Sequence, residues 1–200
     1  LRAGTLNANN SSTLTFNHPI ANLGTLRTIS QYNRTILQGS GHLENRGLWE
    51  VIPDSHLWSA ECTVALPVQI TSAGTLLVNT NALVNFTSGS SLTVDGTLDL
   101  RPGSRLRVDS SSPTRTITFS DTGALLGVGT LQLEGAHTLS FPGDLDTTAN
   151  LNLSSGARLQ LPGTYWVRAS VFHGGPVEAG AVLIATNATL FTGASSFSGP

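Results

Sequence analysis

The sequence predicts an all-β protein folded as a parallel β-helix, a solenoid of short strands, and three observations lead to that fold class. Only 11% of the residues are charged, and Gly, Ser, Thr and Asn dominate the polar ones. These side chains favour tight turns and disfavour long surface helices, because Ser, Thr and Asn compete with the helical backbone. Apolar and polar residues alternate in short runs, as they do in strands. The runs recur at a nearly constant interval, which is typical of repeat architectures.

The recurring unit consists of two strands. It starts with a small residue, usually glycine, then has two alternating apolar positions, about five turn-like residues and two more alternating apolar positions. Units that start at Gly24 and Gly47 fit loosely. The apolar positions of the other units are Leu6, Ala8, Leu14 and Phe16; Leu76, Val78, Val84 and Phe86; Leu98, Leu100, Leu106 and Val108; Leu131, Leu133, Leu139 and Phe141; Leu151, Leu153, Leu159 and Leu161; and Val182, Ile184 and Leu190.

A third alternating pair often follows the unit, as at Ile117 and Phe119, so one rung contains three strands. The intervals from Leu6 to Leu26, Leu76 to Leu98 and Leu131 to Leu151 give roughly 20–22 residues per rung. Alternate apolar residues then point inward and stack on their equivalents in the next rung. A hairpin-based sandwich is the rival fold, but it does not explain why the same face returns after each lap.

The repeat divides the chain into two parts. Residues 1–168 are predicted to form the β-helix, with irregular insertions near 51–69 and 109–123, and residues 169–200 a last rung or a join to further sequence. The second insertion is inferred because Leu98 and Leu131, taken as equivalent, are further apart than one rung. It is interpreted as a lengthened loop or a lateral strand.

Two neighbouring stretches, GVGTLQLEGAHTLSF at 127–141 and ANLNLSSGARLQL at 149–161, carry a resemblance to a known family. They resemble the β-strand repeats in passenger domains of bacterial autotransporters and related surface adhesins. The resemblance covers about residues 74–161 and lacks the double-glycine, double-threonine turn usual in that family. It implies a right-handed β-helix stalk displayed outside the cell. Other extracellular β-helices, eukaryotic ones included, share the pattern.

Sequons and a single cysteine bear on the compartment. Asn-x-Ser/Thr sites mark N-glycosylation acceptors in secreted proteins, although abundant Ser and Thr also produce them by chance. An odd cysteine in a secreted protein, here Cys62, suggests a disulfide to a partner; the alternative is a buried thiol in a small apolar slot. An extracellular or cell-surface location is therefore predicted. The predicted glycosylation acceptors are Asn9, Asn10, Asn33, Asn85, Asn152 and Asn187, with Asn85 and Asn152 expected to face outward.

Several function classes are not expected. The net charge is −2 and the ten basic residues are scattered arginines, so no nucleic-acid partner is predicted. No run of about 18 apolar residues indicates membrane insertion. No histidine pair has metal-ligand spacing, and no Gly-x-Ser-x-Gly elbow occurs. Paired acids such as Asp144 and Asp146 could flank a glycosidic bond, but their FPGDLDTT context reads as a solvated turn. No catalytic residue, metal or cofactor is predicted, and the chain is not expected to be an enzyme.

Threonine lattices and exposed tryptophans are two further candidates for recognition. The outward positions of the second strand are predicted to form a column in which arginine and tryptophan interrupt threonine, which argues against an ice-binding lattice. Trp58 occupies one of these positions and is the best candidate for carbohydrate stacking, whereas Trp49 and Trp166 are assigned to the core or a rung end. The column reads Thr13/Thr15, Asn33/Thr35, His56/Trp58, Leu83/Asn85, Arg105/Arg107, Thr138/Ser140 and Arg158/Gln160.

The expected function is an extracellular structural or adhesive β-helix module, part of a larger cell-surface protein or filament, with no catalysis of its own. The alternative is a carbohydrate-binding or polysaccharide-degrading β-helix. Open solenoid ends need caps or neighbours. The expected partners are therefore flanking domains or identical subunits at the β-helix ends, together with glycans or other cell-surface ligands.

Overall fold

The computed structural model describes residues 4–9, 11–30, 34–53, 61–110, 114–154, 156–168, 171–173, 182–186 and 189–191. Within these ranges the regular structure consists of strands, with no helix, and therefore none able to span a membrane. The strands are β1 (Thr5–Asn9), β2 (Thr13–Thr15), β3 (Ile20–Asn22), β4 (Thr25–Ser30), β5 (Thr35–Gln38), β6 (Leu43–Asn45), β7 (Leu48–Pro53), β8 (Glu61–Ala65), β9 (Pro67–Ile70), β10 (Thr75–Val78), β11 (Leu83–Phe86), β12 (Ser91–Val94), β13 (Thr97–Leu100), β14 (Arg105–Val108), β15 (Thr116–Phe119), β16 (Ala124–Gly127), β17 (Thr130–Leu133), β18 (Thr138–Ser140), β19 (Leu145–Thr147), β20 (Asn150–Leu153), β21 (Arg158–Gln160), β22 (Thr164–Arg168), β23 (Val171–His173), β24 (Val182–Thr186) and β25 (Thr189–Phe191).

The strands form the faces of a three-sided parallel β-solenoid, which confirms the predicted fold class. Face A contains β1, β4, β7, β10, β13 and β16 in that order, and a three-stranded sheet of β19, β22 and β24 continues beyond it. Face B contains β2, β5, β8, β11, β14, β17, β20, β23 and β25. Face C contains β3, β6, β9, β12, β15, β18 and β21. One rung averages about 23 residues and three strands.

The predicted stacking of apolar residues is present in the register. Leu6 pairs with Leu26, Leu76 with Leu98 and Leu131 with Leu151. These columns point inward and form one continuous core, in which most members are fully buried. Burial of apolar side chains between rungs therefore stabilises the fold, and each rung depends on its neighbours to cover its own apolar face.

The predicted equivalence of Leu98 and Leu131 is wrong. Leu98 pairs with Leu125 on face A, whereas Leu131 pairs with Leu106 on face B. All three strands of a rung alternate with period two, so a two-strand unit fits the sequence whichever face it starts on. The interval 109–123 contains β15, a regular strand of face C, and is thus the lateral strand of the two interpretations offered.

The other irregular segments are also partly regular. Residues 51–53 and 61–65 extend the parallel sheets in register, as do residues 67–69, while 54–60 lie outside the described residues. Beyond residue 168, β23 and β25 continue face B, and β24 pairs with β22. The solenoid thus continues into the C-terminal part that was predicted to be a last rung or a join.

Tight corners separate face C from face A. Glycines stack there in successive rungs, and the carbonyl of each accepts a hydrogen bond from the residue after the glycine of the next rung. The amides of Thr25, Leu48, Thr75 and Thr97 donate to Gly4, Gly24, Gly47 and Gly74. Beside them, Asn22 and Asn45 are fully buried and form a ladder, with Asn22 Nδ2 donating to Asn45 Oδ1 at 2.7 Å. The corners are therefore held together by backbone hydrogen bonds between adjacent rungs and by buried amide side chains.

Candidate functional site

The three outer faces differ in charge. Face A carries ion pairs between Arg27 and Glu50 at 2.8 Å and between Arg101 and Asp99 at 2.9 Å. Face B carries longer ones, including Arg34 with Glu61 at 3.8 Å. On face C, by contrast, the four consecutive strands β9, β12, β15 and β18 contain no charged residue. The uncharged stretch lies between Glu44 on β6 and Arg158 on β21.

The outward positions of β12, β15 and β18 form an array of six hydroxyl side chains, two per strand. Thr93 pairs with Thr118, which pairs with Ser140, and Thr116 pairs with Thr138. Ser91 precedes the inward Leu92, which pairs with Ile117. Within the described part of the chain, none of the six hydroxyls hydrogen-bonds to another protein group. The array is defined as Ser91, Thr93, Thr116, Thr118, Thr138 and Ser140.

This array contradicts the interrupted column expected from the sequence. Arg105 and Arg107 lie on face B, where they pair with Thr130 and Gln132, and not beside the threonines of β18. The expected column had mixed strands of two faces, so its argument against a regular hydroxyl surface no longer applies. Thr35, expected outside, is fully buried and pairs with Cys62, because a one-residue slip exchanges the two faces of a strand.

A groove of about 440 Å³ opens on face C at the end of the hydroxyl array formed by β12. It crosses three rungs: the residues before β6, strand β9, and the first part of β12. Polar uncharged groups and the rings of His42 and Pro67 dominate its surface. The lining residues are Ser40, Gly41, His42, Pro67, Val68, Gln69, Ser91 and Thr93.

One lining amide is already oriented by the protein. Gln69 Nε2 donates a hydrogen bond of 2.9 Å to Asp95 Oδ2, and this directs the side chain of Gln69 across the rung. Ser40 Oγ donates to the carbonyl of Asn17 at 3.3 Å. The remaining hydroxyls of the groove, Ser91 and Thr93, have no partner among the described residues. The groove therefore combines fixed polar groups with hydroxyls that are available to a ligand.

Two of the three tryptophans, Trp49 and Trp166, lie among the described residues. Trp58 lies outside the described residues, and the outward positions of that rung on face B belong to Glu61 and Thr63, which pair with Leu83 and Asn85. Trp49 is fully buried, as predicted, and its Nε1 donates to Thr28 Oγ1 at 3.3 Å. Trp166 is half-buried and pairs with Asp146 at an outward position of β22, so of the two expected locations, the core or a rung end, it is not in the core.

The predicted glycosylation acceptors fall into three groups. Asn9 is exposed and Asn152 is half-buried at an outward position of β20. Asn85 also lies on the outer side of its strand, but its side chain is only 4% exposed. Its Nδ2 donates to Glu61 Oε1 at 3.1 Å and its Oδ1 accepts from Arg107 Nε at 3.2 Å, so a glycan there would displace both bonds. Asn10, Asn33 and Asn187 lie outside the described residues.

The acids considered for catalysis have structural partners. Asp144 Oδ1 accepts a 2.6 Å hydrogen bond from the Thr164 amide, and Asp146 lies in strand β19 in register with Trp166. His137 is buried: its Nδ1 accepts from the Arg115 amide at 3.2 Å, which assigns the proton to Nε2 and makes Nε2 the donor to the carbonyl of Asp109. Among the described residues, no three His, Cys, Asp or Glu side chains form a group that could hold a metal ion.

Cys62 lies in the core between Thr35 and Val84, with no exposed surface. This is the location foreseen by the buried-thiol alternative; a disulfide to a partner remains a prediction that would require the rung to open. Burial raises the pKa of the Cys62 thiol to about 12, while a hydrogen bond with Thr28 lowers it and the charge of Glu61 raises it further. The thiol is therefore protonated at neutral pH.

We expect Cys62 in the folded protein to resist iodoacetamide at pH 8.5, a pH at which about half of an unfolded thiol is ionised. Labelling followed by mass spectrometry measures the rate, with the same protein in denaturant as the control. Because only the unfolded thiol ionises just above pH 8.5, the shift also makes stability fall as the pH rises from there towards 12. Equal labelling of the folded and unfolded chain would contradict the buried location.

The hydroxyl array was missed in the sequence because β15 was taken as a third strand and β18 as a second strand, although the two are neighbours on face C. The three pairs Ser91/Thr93, Thr116/Thr118 and Thr138/Ser140 share a small-hydroxyl pattern around one apolar residue, and this pattern was the available signal. Comparison with protein-family models, with curated proteins and with solved structures finds no match to the chain.

Proposed function

We propose that the chain is a structural and adhesive module that acts outside the cell, as part of a larger surface protein or filament, without catalysis of its own. The observation that carries the proposal is the uninterrupted parallel stacking of face B over nine strands. At about 4.8 Å per rung, such a stack is a rod roughly 40 Å long. Strands inside the stack are hydrogen-bonded on both edges, which protects the backbone from proteases and from pairing with other chains.

The role suggested by the passenger-domain resemblance is part of this proposal. A stalk must hold a binding surface away from the cell at a fixed distance, and a solenoid with a continuous core does so without a flexible hinge. The low charge and the many short polar side chains suit closely stacked rungs. The exposed sequon at Asn9 and the outward one at Asn152 supply acceptors consistent with a secretory route.

Immunogold labelling of the cells that make the protein tests the proposal. We expect gold particles at the cell surface or on extracellular filaments, and resistance of the purified rod to trypsin without added ligand. Labelling confined to the cytoplasm would overturn the extracellular role. A control antibody against a known cytoplasmic protein establishes that the interior is accessible to the label.

The N-terminal end of the rod carries the proposed partner contact. Leu6, Leu14, Phe16 and Ile20 are only partly buried although they pack against the core. β1, β2 and β3 each pair on one edge within the described residues. A further rung, from a flanking domain or an identical subunit, would cover these side chains and extend the three sheets.

We expect the purified chain to self-associate through this end in a concentration-dependent way, and Leu14→Asp to reduce the association. A charge at this half-buried apolar position would have to be desolvated in a stacked dimer. Sedimentation velocity measures the change, with circular dichroism as a check of folding. Thr15→Asp is the matched control, because Thr15 lies on the same strand but is exposed. Equal effects of the two variants would exclude end-to-end stacking.

A carbohydrate-binding role is the second candidate, and the groove on face C favours it. Its uncharged polar lining differs from the ion-paired surfaces of faces A and B. Binding of a glycan at this groove is compatible with an adhesive rod, since the rod would present the groove laterally and away from its own ends.

A further inference from the structure

We propose that the groove on face C binds a neutral saccharide chain, which continues over the hydroxyl array. This inference deepens the adhesive function proposed above and rests on it, because it names the class of ligand that the rod would hold. It assigns the site to Gln69, Ser91 and Thr93, with His42 and Pro67 at its wall, rather than to Trp58.

The size and shape of the groove suit a short length of a chain molecule. Its volume of about 440 Å³ lies in the range of roughly 300–1,000 Å³ that ligand pockets occupy. It crosses three rungs along the solenoid axis instead of entering the core. A linear ligand lying along the axis would therefore contact residues of successive rungs.

The lining chemistry favours a ligand that both donates and accepts hydrogen bonds. The hydroxyls of Ser91 and Thr93 can do either. Because the amide nitrogen of Gln69 donates to Asp95, its carbonyl oxygen is directed away and can accept from a ligand hydroxyl. The exposed rings of Pro67 and His42 line the groove and can contact the C–H surfaces of a sugar. Hydroxyl-rich ligands match this mixture better than apolar ones.

The charge distribution selects a neutral saccharide over an acidic one. No arginine lines the groove, so a carboxylate or sulfate group would lose its hydration without a guanidinium partner. Asp95, held by Gln69 beside the groove, would also repel an anion. Arg105 and Arg107 project from face B, and the guanidinium of Arg115, which borders the hydroxyl array, is held by hydrogen bonds within the protein.

The hydroxyl array extends the site below the groove. Below Ser91 and Thr93, equivalent hydroxyl pairs follow on β15 and β18 in the same two columns. Rungs of a parallel sheet are about 4.8 Å apart, so a ligand lying along the axis meets a similar pair at each rung. A repeating polymer benefits from such periodic contacts through multivalency, even when each contact is weak.

A glycan array containing neutral and acidic oligosaccharides tests the proposal, followed by titration of a soluble neutral polysaccharide that gives a signal. We expect binding to neutral chains only, and about tenfold weaker binding by the double variant Ser91→Ala/Thr93→Val, which corresponds to about 1.4 kcal/mol. Thr75→Val is the matched control, because Thr75 occupies an outward position on face A. It should bind as the original chain does.

The possible outcomes separate this inference from the function on which it rests. If the folded chain binds no saccharide on the glycan array, the saccharide site is overturned. The proposed rod function would still stand if immunogold labels the cell surface and the purified rod resists trypsin. Preference for acidic glycans, or equal loss of binding in Thr75→Val, would also overturn it. Ice-growth inhibition without saccharide binding would reassign the hydroxyl array to ice. Intracellular labelling, in contrast, would overturn the adhesive function whatever the glycan array shows.

Discussion

Replacement of Gly96 by alanine is expected to lower the free energy of unfolding by about 2–3 kcal/mol, as overpacking at a rigid site does. An added Cβ would lie 2.2 Å from the carbonyl oxygen of Thr71 and 2.3 Å from that of Gly74. Both contacts are with backbone atoms of the preceding rung, so no side chain can rotate to make room. The cost arises from close approach between rungs and not from a left-handed backbone.

The same corner also carries ladder hydrogen bonds, which the displacement would strain. The amide of Gly96 donates to the carbonyl of Ile70 at 3.1 Å, and its carbonyl accepts from the amide of Ala124 at 2.8 Å. Moving Gly96 outward by the distance that a methyl group needs would lengthen both bonds. The strain would therefore extend to the rung before and the rung after.

Urea unfolding, followed by circular dichroism, measures the change, and Gly143→Ala provides the control. A Cβ at Gly143 would have no heavy atom within 4 Å, and its backbone is outside the left-handed region. That variant should remain within about 0.5 kcal/mol of the original chain. Similar midpoints for Gly96→Ala and Gly143→Ala would show that the corner is looser than the structure describes.

The core was predictable from the sequence because it depends on alternation alone. Leu76 and Leu98, for example, were assigned inward and to equivalent positions, and both are fully buried in register. Any alternating strand must place every second residue on one side, whichever face it belongs to. A fold-class prediction therefore needed only the period of the strands and the return of the pattern.

The outer surface was less predictable because it depends on which strands are neighbours. Thr118 stacks between Thr93 and Ser140, yet Ser140 was assigned to the second strand of its unit and the strand of Thr118 to the third. The identity of the face is not encoded in a two-residue period, since strands of all three faces share it. The lengths of the corners differ between rungs. Assigning a strand to the wrong face therefore leaves the alternation intact, but it places the outward residues of that strand on a different surface.

Buried polar residues are the other feature that alternation hides. Asn22 and Asn45 are the last residues of β3 and β6, and they occupy inward positions where the pattern expects apolar residues. Their amides are accommodated because the corners expose carbonyl groups that need donors. Such residues are recognisable only when the neighbouring rung is known, because Asn22 donates to Asn45 and Asn45 to the carbonyl of Thr75.

Replacement of Asn45 by leucine is expected to destabilise the protein by about 3 kcal/mol, at about 1 kcal/mol for each of three lost hydrogen bonds. Asn45 Nδ2 donates to the carbonyls of Gly47 at 3.1 Å and Thr75 at 2.9 Å. Its Oδ1 accepts from Asn22 Nδ2 at 2.7 Å. Leucine has the same branched shape as asparagine and is larger, so it leaves no cavity, and the expected loss comes from the unsatisfied polar groups.

A double-mutant cycle with Asn22→Leu separates this explanation from simple misfit. Removing Asn45 alone deprives the Asn22 amide of one acceptor, whereas removing both amides leaves no such mismatch between them, so the double variant should lose less stability than the sum of the single variants. Urea unfolding measures all three, and Asn7→Leu is the control because Asn7 is exposed on face A. Strict additivity would show that the two asparagines stabilise their corners independently. A coupling of about 1 kcal/mol would instead identify the ladder as one cooperative element that links successive rungs.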